Sequence, residues 1–322
     1  MDENLAVTNI IFGTAEDDRL FGSPGNDEIF GLAGDGLLFN LGTGDDFFDG
    51  GPGNEIIMAG SGNDNLIGGD GDDLLTSGDG NDNLSGGDGN DFLNGAAGDD
   101  FINGDNGIDN INGDVGDDII YGGDGNDRIS SGQGNDQIWA ENGNDNVNGE
   151  AGNDIIVGGQ GNDRLIGGEG NDNVYGDADD DILVGSSGND SLNGGTGNDR
   201  LVGVEPFTTL AGFGKRVIDT MTGGQGSDTF FLGDASAVYY DDGGSELAGG
   251  AAIITDFNQS EDLIQLQSIA DANYVLAPGA TSAFGQASTD LLLERPNQPQ
   301  ELIANLQGVT GLNLSNSYFA VV

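Results

Sequence analysis

Aspartates recurring at a single phase of a nine-residue period are the residues of this chain whose type and spacing suit chemistry. A representative unit is GGDGNDFLN at 86–94. Such units begin at residues 13, 22, 31, 41 and then every nine residues to 194, and a further one, GGQGSDTFF, begins at 223. Asn40 is the only slip in the uninterrupted series. Numbering each unit 1 to 9, position 6 is Asp in 20 of the 22 units, the exceptions being Gly36 and Glu55. From the second unit on, the candidate metal ligands are Asp27, Asp46, Asp64, Asp73, Asp82, Asp91, Asp100, Asp109, Asp118, Asp127, Asp136, Asp145, Asp154, Asp163, Asp172, Asp181, Asp190, Asp199 and Asp228. If the turn of one unit lies against the turn two units on, Asp82 faces Asp100 and Asp100 faces Asp118. Like charges about 5 Å apart repel by roughly 0.8 kcal/mol in water and about 3 kcal/mol at an effective dielectric of 20. Two ladders of such contacts hold the chain apart unless a cation sits between them. Carboxylate and carbonyl oxygens, without nitrogen or sulfur donors, select a hard cation, and many flexible oxygen ligands favour calcium over magnesium. An EF-hand is excluded, because the chain has no D-x-[DN]-x-[DN]-G loop with a closing Glu.

The rest of the unit supplies what must position these carboxylates. Position 8 is large and apolar in all 22 units, and position 4 is Gly except at Glu16 and Asp179. Position 5 is Asn in 13 units and Asp in seven, types that tolerate left-handed backbone. Pro24 and Pro52 both fall at position 3. An apolar phase held through every unit excludes a solvated acidic linker, despite the high charge. Alternation along positions 7 to 9 predicts a short strand with residue 8 inward, and the Gly-rich remainder predicts a sharp turn. Two units make a coil of 18 residues, and stacked coils bury the position-8 side chains between two parallel sheets. The expected fold is all-β: a parallel β-roll, that is, a two-sheet right-handed β-solenoid.

Composition removes several function classes. The net charge is −50, with seven basic residues and Lys215 as the single lysine. Nucleic acid is therefore excluded as a partner, since phosphate binding needs clustered Lys and Arg, and anionic membrane surfaces are disfavoured. With no Cys and no His, thiolate chemistry, Ser-His-Asp catalysis and His-ligated zinc are unavailable. The start, MDENLAVTNIIFG, lacks the basic and long apolar regions of a cleaved signal peptide. No apolar run approaches the length of a membrane span.

The repeats resemble the hemolysin-type RTX calcium-binding nonapeptide repeat from Gly13 to about Phe231. The segments GGQGSDTFFLGDASAVYYDDG, IITDFNQSEDLIQL and ELIANLQGVTGLNLSNSYF resemble the C-terminal segments of cyanobacterial secreted calcium-binding RTX proteins. The resemblance implies that each calcium is held by turn carbonyls and the position-6 Asp residues of two stacked turns. It also implies export through the type I secretion machinery, directed by an uncleaved C-terminal signal, and an extracellular location. The stacking geometry predicts about 15 calcium ions in the uninterrupted run, with sites near Gly36 and Asn40 in doubt and a weaker one at Glu55. The expected organisation is a lead-in at 1–12, the β-roll at 13–203, an insertion loop at 204–222, a terminal repeat at 223–231, and a small β-rich C-terminal cap with the secretion signal at 232–322. Strand-like stretches in the cap fall at 253–257, 263–266, 274–276, 291–293 and 302–306.

Outward positions differ between the sheets. One carries Tyr121, Trp139, Val157 and Tyr175, spaced 18 apart, with Ile119 and Ile155 beside them; the other shows Asn112, Arg128, Ser130, Asn148 and Arg164 at the same height. The apolar ladder is either exposed strand with good β propensity, strand covered by another part of the chain, or a docking surface for a cell-surface polymer. The predicted function is that of a secreted calcium-binding protein with a structural, surface-associated or adhesive role. The alternative is a secreted enzyme or accessory module acting on polysaccharide, against which stands the absence of residues left over for a catalytic domain. An intracellular calcium buffer is the third reading, disfavoured by the tail resemblance.

Overall fold

A computed structural model of the chain describes residues 9–38, 41–203, 218–232, 251–266, 273–278, 288–294, 301–310, 312–314 and 316–321. It divides into two compact units, Met1–Gly159 and Gln160–Val322. Each is a parallel β-solenoid of two sheets. Alternate strands enter alternate sheets, so that each strand pairs with the strand two places on.

In the first unit, strands Asn65–Asp70, Asn83–Asp88 and Phe101–Asn106 are consecutive neighbours in one sheet. Leu74–Asp79, Phe92–Ala97 and Asn110–Val115 are neighbours in the other. The register is 18 residues: Leu66 lies beside Leu84 and Leu84 beside Ile102. The slip at Asn40 appears as an offset of 19, with Ile29 opposite Phe48 and Leu37 opposite Ile56. Position-8 side chains form the core, from Phe48 at 2% exposure through Leu84 and Ile120 at 0%.

The strands are longer than positions 7 to 9. They run six residues, from position 7 through position 3 of the next unit, as in Asn83–Asp88. Position 1 points inward and, Leu41 excepted, is occupied by small residues, because the neighbouring carboxylate lies where a side chain would go. A Cβ on Gly113 would lie 2.3 Å from Asp118 Oδ2. Left-handed backbone falls at positions 2 and 4, as at Gly123 (φ 108°) and Gly125 (φ 154°), and not at position 5. Position 5 has another task. Its Oδ1 accepts the backbone N–H of the residue one coil on, as in Asn81 N–H to Asn63 (2.9 Å) and Asp99 N–H to Asn81 (3.1 Å).

The first coil begins earlier than Gly13. Asn9–Phe12 is a strand in register with Asp27–Phe30, inside the segment expected as a lead-in. Among the described residues, no helix is long and apolar enough to cross a membrane.

In the second unit, Ile218–Gln225 pairs with Ser191–Thr196, so residues 218–222 of the expected insertion belong to the sheet. Lys215, Arg216 and the rest of 204–217 lie outside the described residues. Ala251–Ile254 and Leu263–Leu266 extend the two sheets in parallel. Glu301–Gln307 continues the first, and Ser288–Glu294 and Asn273–Pro278 finish it as an antiparallel meander. Phe319–Val321 closes the second. Four of the five strand-like stretches expected in the tail are strands throughout, whereas of 253–257 only residues 253–254 are strand; all are continuous with the solenoid sheets. Phe257 packs edge-on against Phe230 (6.2 Å) and Tyr318 (6.1 Å), which covers the end of the core with aromatic rings.

Candidate metal centres

Position 6 lies at the entry to each strand, one residue before the paired segment, and its side chain turns inward. The carboxylates are buried, with Asp118 at 0% exposure and Asp100 at 2%. Along the ladders, Oδ1 accepts the backbone N–H of the position-6 residue one coil earlier. In the first unit one edge links Asp27, Asp46, Asp64, Asp82, Asp100, Asp118, Asp136 and Asp154 in this way, at 2.7 to 2.9 Å. The other edge links Glu55, Asp73, Asp91, Asp109, Asp127 and Asp145, at 2.7 to 2.9 Å. At the irregular start of that edge, Gly36 supplies no carboxylate and only donates its N–H to Glu55 Oε1 at 3.4 Å.

The second unit repeats the pattern and adds two members. Asp163, Asp181, Asp199 and Asp228 form one ladder, which ends at Asp262, whose Oδ1 accepts Asp228 N–H at 3.2 Å. Asp172 and Asp190 lead to Asp219, whose Oδ1 accepts Asp190 N–H at 2.9 Å. Asp219 and Asp262 fall outside the nonapeptide pattern because the Gly-rich half of their units is missing. The other half, Asp followed two residues later by a large apolar side chain, is intact in DTM and DLI, and Met221 and Ile264 are fully buried. Beyond Asp219 the phase is held by Ala252, which supplies no carboxylate to that ladder.

The second oxygen sets the chemistry. Oδ2 of Asp46, Asp64, Asp91, Asp100, Asp109 and Asp118, among others, is buried with no hydrogen-bond partner. A buried anion left half-satisfied is costly. Its effect is visible in the ionisation of these groups. Burial raises Asp91 to about 6 and Asp100 and Asp109 to about 7, against the lowering effect of the accepted N–H; the charges of stacked neighbours raise them further. Asp118, between Asp100 and Asp136, is pushed up to about 8 by the same causes, as is Asp181 between Asp163 and Asp199. Burial also raises Glu55, with a further contribution from Asp73.

These carboxylates therefore need a proton or a cation. The donor set fits calcium: hard oxygens in a row, an unsatisfied oxygen on most of them, and in most units a position-1 glycine that leaves space beside it. Among the described residues, no three His, Cys, Asp or Glu side chains converge to hold one metal. An ion here would have to complete its shell with backbone oxygens.

The outer face is ordered as the spacing predicts within the first unit. Tyr121 and Trp139 lie in register and stack at 5.0 Å with 11° between their planes, and Phe101 joins at 5.6 Å. An open groove of about 420 Å³ beside them is lined by Phe101, Tyr121, Asp105, Asp124 and Glu141. Tyr175 belongs to the second unit and lies opposite Asn193.

The profile of the RTX calcium-binding nonapeptide repeat matches residues 7–38, 39–66, 49–84, 67–102, 76–111, 103–138, 139–174, 175–204 and 216–236, more than half of the chain. No curated protein matches the chain significantly. Similar solved structures include a hyperactive, Ca2+-dependent, beta-helical antifreeze protein from an Antarctic bacterium. It is 21% identical over 72% of this chain and 86% of its own, with a TM-score of 0.46.

Proposed function

This chain belongs to the family built on RTX calcium-binding nonapeptide repeats, and from that premise we propose that it is a secreted structural protein that folds when it meets extracellular calcium. The observation that carries the proposal is the row of buried position-6 carboxylates with an unsatisfied Oδ2. Bound calcium supplies the positive charge these oxygens lack and joins one coil to the next. The residues that would hold it are the stacked Asp pairs, such as Asp82 with Asp100 and Asp181 with Asp199, together with turn carbonyls. The uninterrupted run of units accommodates about 15 ions, one between each pair of stacked turns.

Magnitudes support folding outside the cell. Extracellular calcium modules bind with dissociation constants of about 10⁻⁴ to 10⁻³ M. Calcium at ten times the dissociation constant adds about 1.4 kcal/mol per site, so that about 15 independent sites contribute roughly 20 kcal/mol. At sub-micromolar cytosolic calcium that contribution vanishes, and the chain stays unfolded for export by the type I machinery. Once folded, it has no need of an active site, and its role is structural, surface-associated or adhesive. The face bearing Tyr121, Trp139, Val157 and Tyr175 is the proposed contact with cell-surface polymer, supported by the ordered aromatic stack and the groove beside it.

Far-UV circular dichroism during a calcium titration, with magnesium as control and chelator to reverse it, tests the folding proposal. A sharp calcium-selective gain of β signal from a disordered start is expected. A β spectrum indifferent to calcium and chelator would show that the Asp ladders are not metal sites. Changing Trp139 and Tyr175 to Ser is expected to abolish association with surface polymer while calcium binding persists; unchanged association would remove that role from this face.

A further inference from the structure

Where the residue four places before it is described, the position-6 carboxylate differs from the others in three units, and the difference lies in that residue. Inside the ladders, position 2 is part of a strand and has left-handed backbone, as at Gly87 (φ 110°), Ala96 (φ 73°) and Asp114 (φ 80°). Its N–H is then free to serve the neighbouring coil, as Ser186 N–H does by donating to Gly203 O at 2.7 Å. The carboxylate of the same unit receives nothing from it, and Oδ2 of Asp91, Asp100 and Asp118 remains without a partner.

At Thr14, Ser23 and Asn258 the backbone is not left-handed, and none of the three lies in a strand. There the N–H turns onto the unit's own carboxylate: Thr14 to Asp18 Oδ2 at 2.5 Å, Ser23 to Asp27 Oδ2 at 2.6 Å, and Asn258 to Asp262 Oδ2 at 2.7 Å. Side chains add to this. Thr14 Oγ1 donates to Asp18 Oδ2 at 2.9 Å, and Ser23 Oγ to Asp27 Oδ2 at 3.1 Å. The remaining oxygens of Asp27 and Asp262 are served as well, by Asn9 Nδ2 at 2.7 Å and Asp228 N–H at 3.2 Å. These units sit where the repeat series starts and where the last carboxylate of its ladder falls.

We infer that Asp18, Asp27 and Asp262 are metal-free ends of the calcium ladders, their Oδ2 held by the protein's own N–H instead of by a cation. An amide N–H on the oxygen takes up one of its lone pairs and sets the positive end of a dipole beside it, and with the hydroxyl or second donor also present the carboxylate is served without a cation, which competes with calcium for the same oxygen. A ladder closed in this way needs no ion at a coil whose outer neighbour brings no second carboxylate, as where Asn9 lies opposite Asp27. The inference rests on the calcium-binding reading of the interior ladders and removes Asp27 from the candidate ligands.

The test is the number of calcium ions bound at saturation by the full chain, from native mass spectrometry and equilibrium dialysis, for wild type and Asp100→Asn, Asp27→Asn and Asp262→Asn. Asn keeps one acceptor oxygen, so each variant can retain one backbone hydrogen bond. Asp100→Asn is expected to lose at least one ion, whereas Asp27→Asn and Asp262→Asn bind as many as wild type. Loss of an ion from either end variant, matching Asp100→Asn, would overturn the inference for that end. If one end variant fails to fold, the other still decides. Failure of the wild type to bind calcium would be a separate result, and it would remove the ladder reading and this inference together.

Discussion

Asp118 shows the competition on which each rung depends. Its Oδ1 accepts the Asp100 N–H at 2.8 Å, while its Oδ2 is buried with no protein partner. Burial, aided by the charges of Asp100 and Asp136, raises its folded pKa to about 8, and Asp91 and Asp100 are raised to about 6 and about 7. Raised carboxylate pKa values mean that the folded chain holds protons the unfolded chain releases. The stabilisation from these protons is therefore complete below the ordinary carboxylate range, near pH 4, and is lost as pH rises through about 6 to 8. In chelator, the β signal is expected to grow as pH falls from 8 towards 5; a signal that instead falls with acidification would contradict buried, proton-competent ladders. Calcium takes the proton's place, so that binding near neutral pH releases protons. Calorimetry in buffers of different ionisation enthalpy measures that release. Replacing Asp118 with Asn should act in opposite directions in the two states: the folding midpoint in chelator moves to higher pH, while the calcium-bound chain loses stability.

Strand and turn obey tighter rules than the carboxylates do. At position 4 the backbone is left-handed and passes over the coil below, so a Cβ on Gly125 would lie 1.4 Å from Gly107 O. Gly125→Ala is expected to cost on the order of 2 to 4 kcal/mol, read as a lower melting temperature in saturating calcium, because neither backbone can move without breaking the stack. Position 2 is more forgiving: Ala96, Asp105 and Glu150 occupy it at φ of 66° to 73°. The position-5 ladder has a natural defect. Ile108 donates its N–H to Asn90 Oδ1 at 3.0 Å but has no side-chain oxygen to accept from Asn126 on the next coil, and its apolar side chain is 58% exposed. Ile108→Asn restores the acceptor and is expected to stabilise the calcium-bound chain by about 0.5 to 1.5 kcal/mol. A lower melting temperature would show that the ladder contributes nothing at that coil.

For the molecule as a whole, 57 acidic residues against seven basic ones oppose folding, and the location of that charge matters. If surface repulsion were the barrier, monovalent salt would screen it, since the Debye length falls to about 3 Å at 1 M. The ladder carboxylates are buried, where mobile ions do not reach them. Sodium chloride at 1 M in chelator is accordingly expected to leave the chain unfolded at pH 7.5, and recovery of the β signal there would assign the calcium effect to screening. Much of this was legible in the sequence because a strict period carries one local environment to every copy. The 18-residue coil, the position-8 core and the stacked position-6 carboxylates follow from phase alone, and most of the tail strands from short apolar stretches. The tertiary structure decided what phase does not encode, namely which neighbour each polar atom meets. It placed the left-handed backbone at positions 2 and 4, turned the position-5 amides into a second ladder, and carried the strands through the glycines. Asp219 and Asp262 joined the ladders once pairing between coils replaced the missing glycine turns. The distinction between an Asp27 satisfied by Ser23 and an Asp100 left with a bare oxygen also arises there. Both are the same residue at the same phase, and only the direction of an N–H four residues earlier separates them.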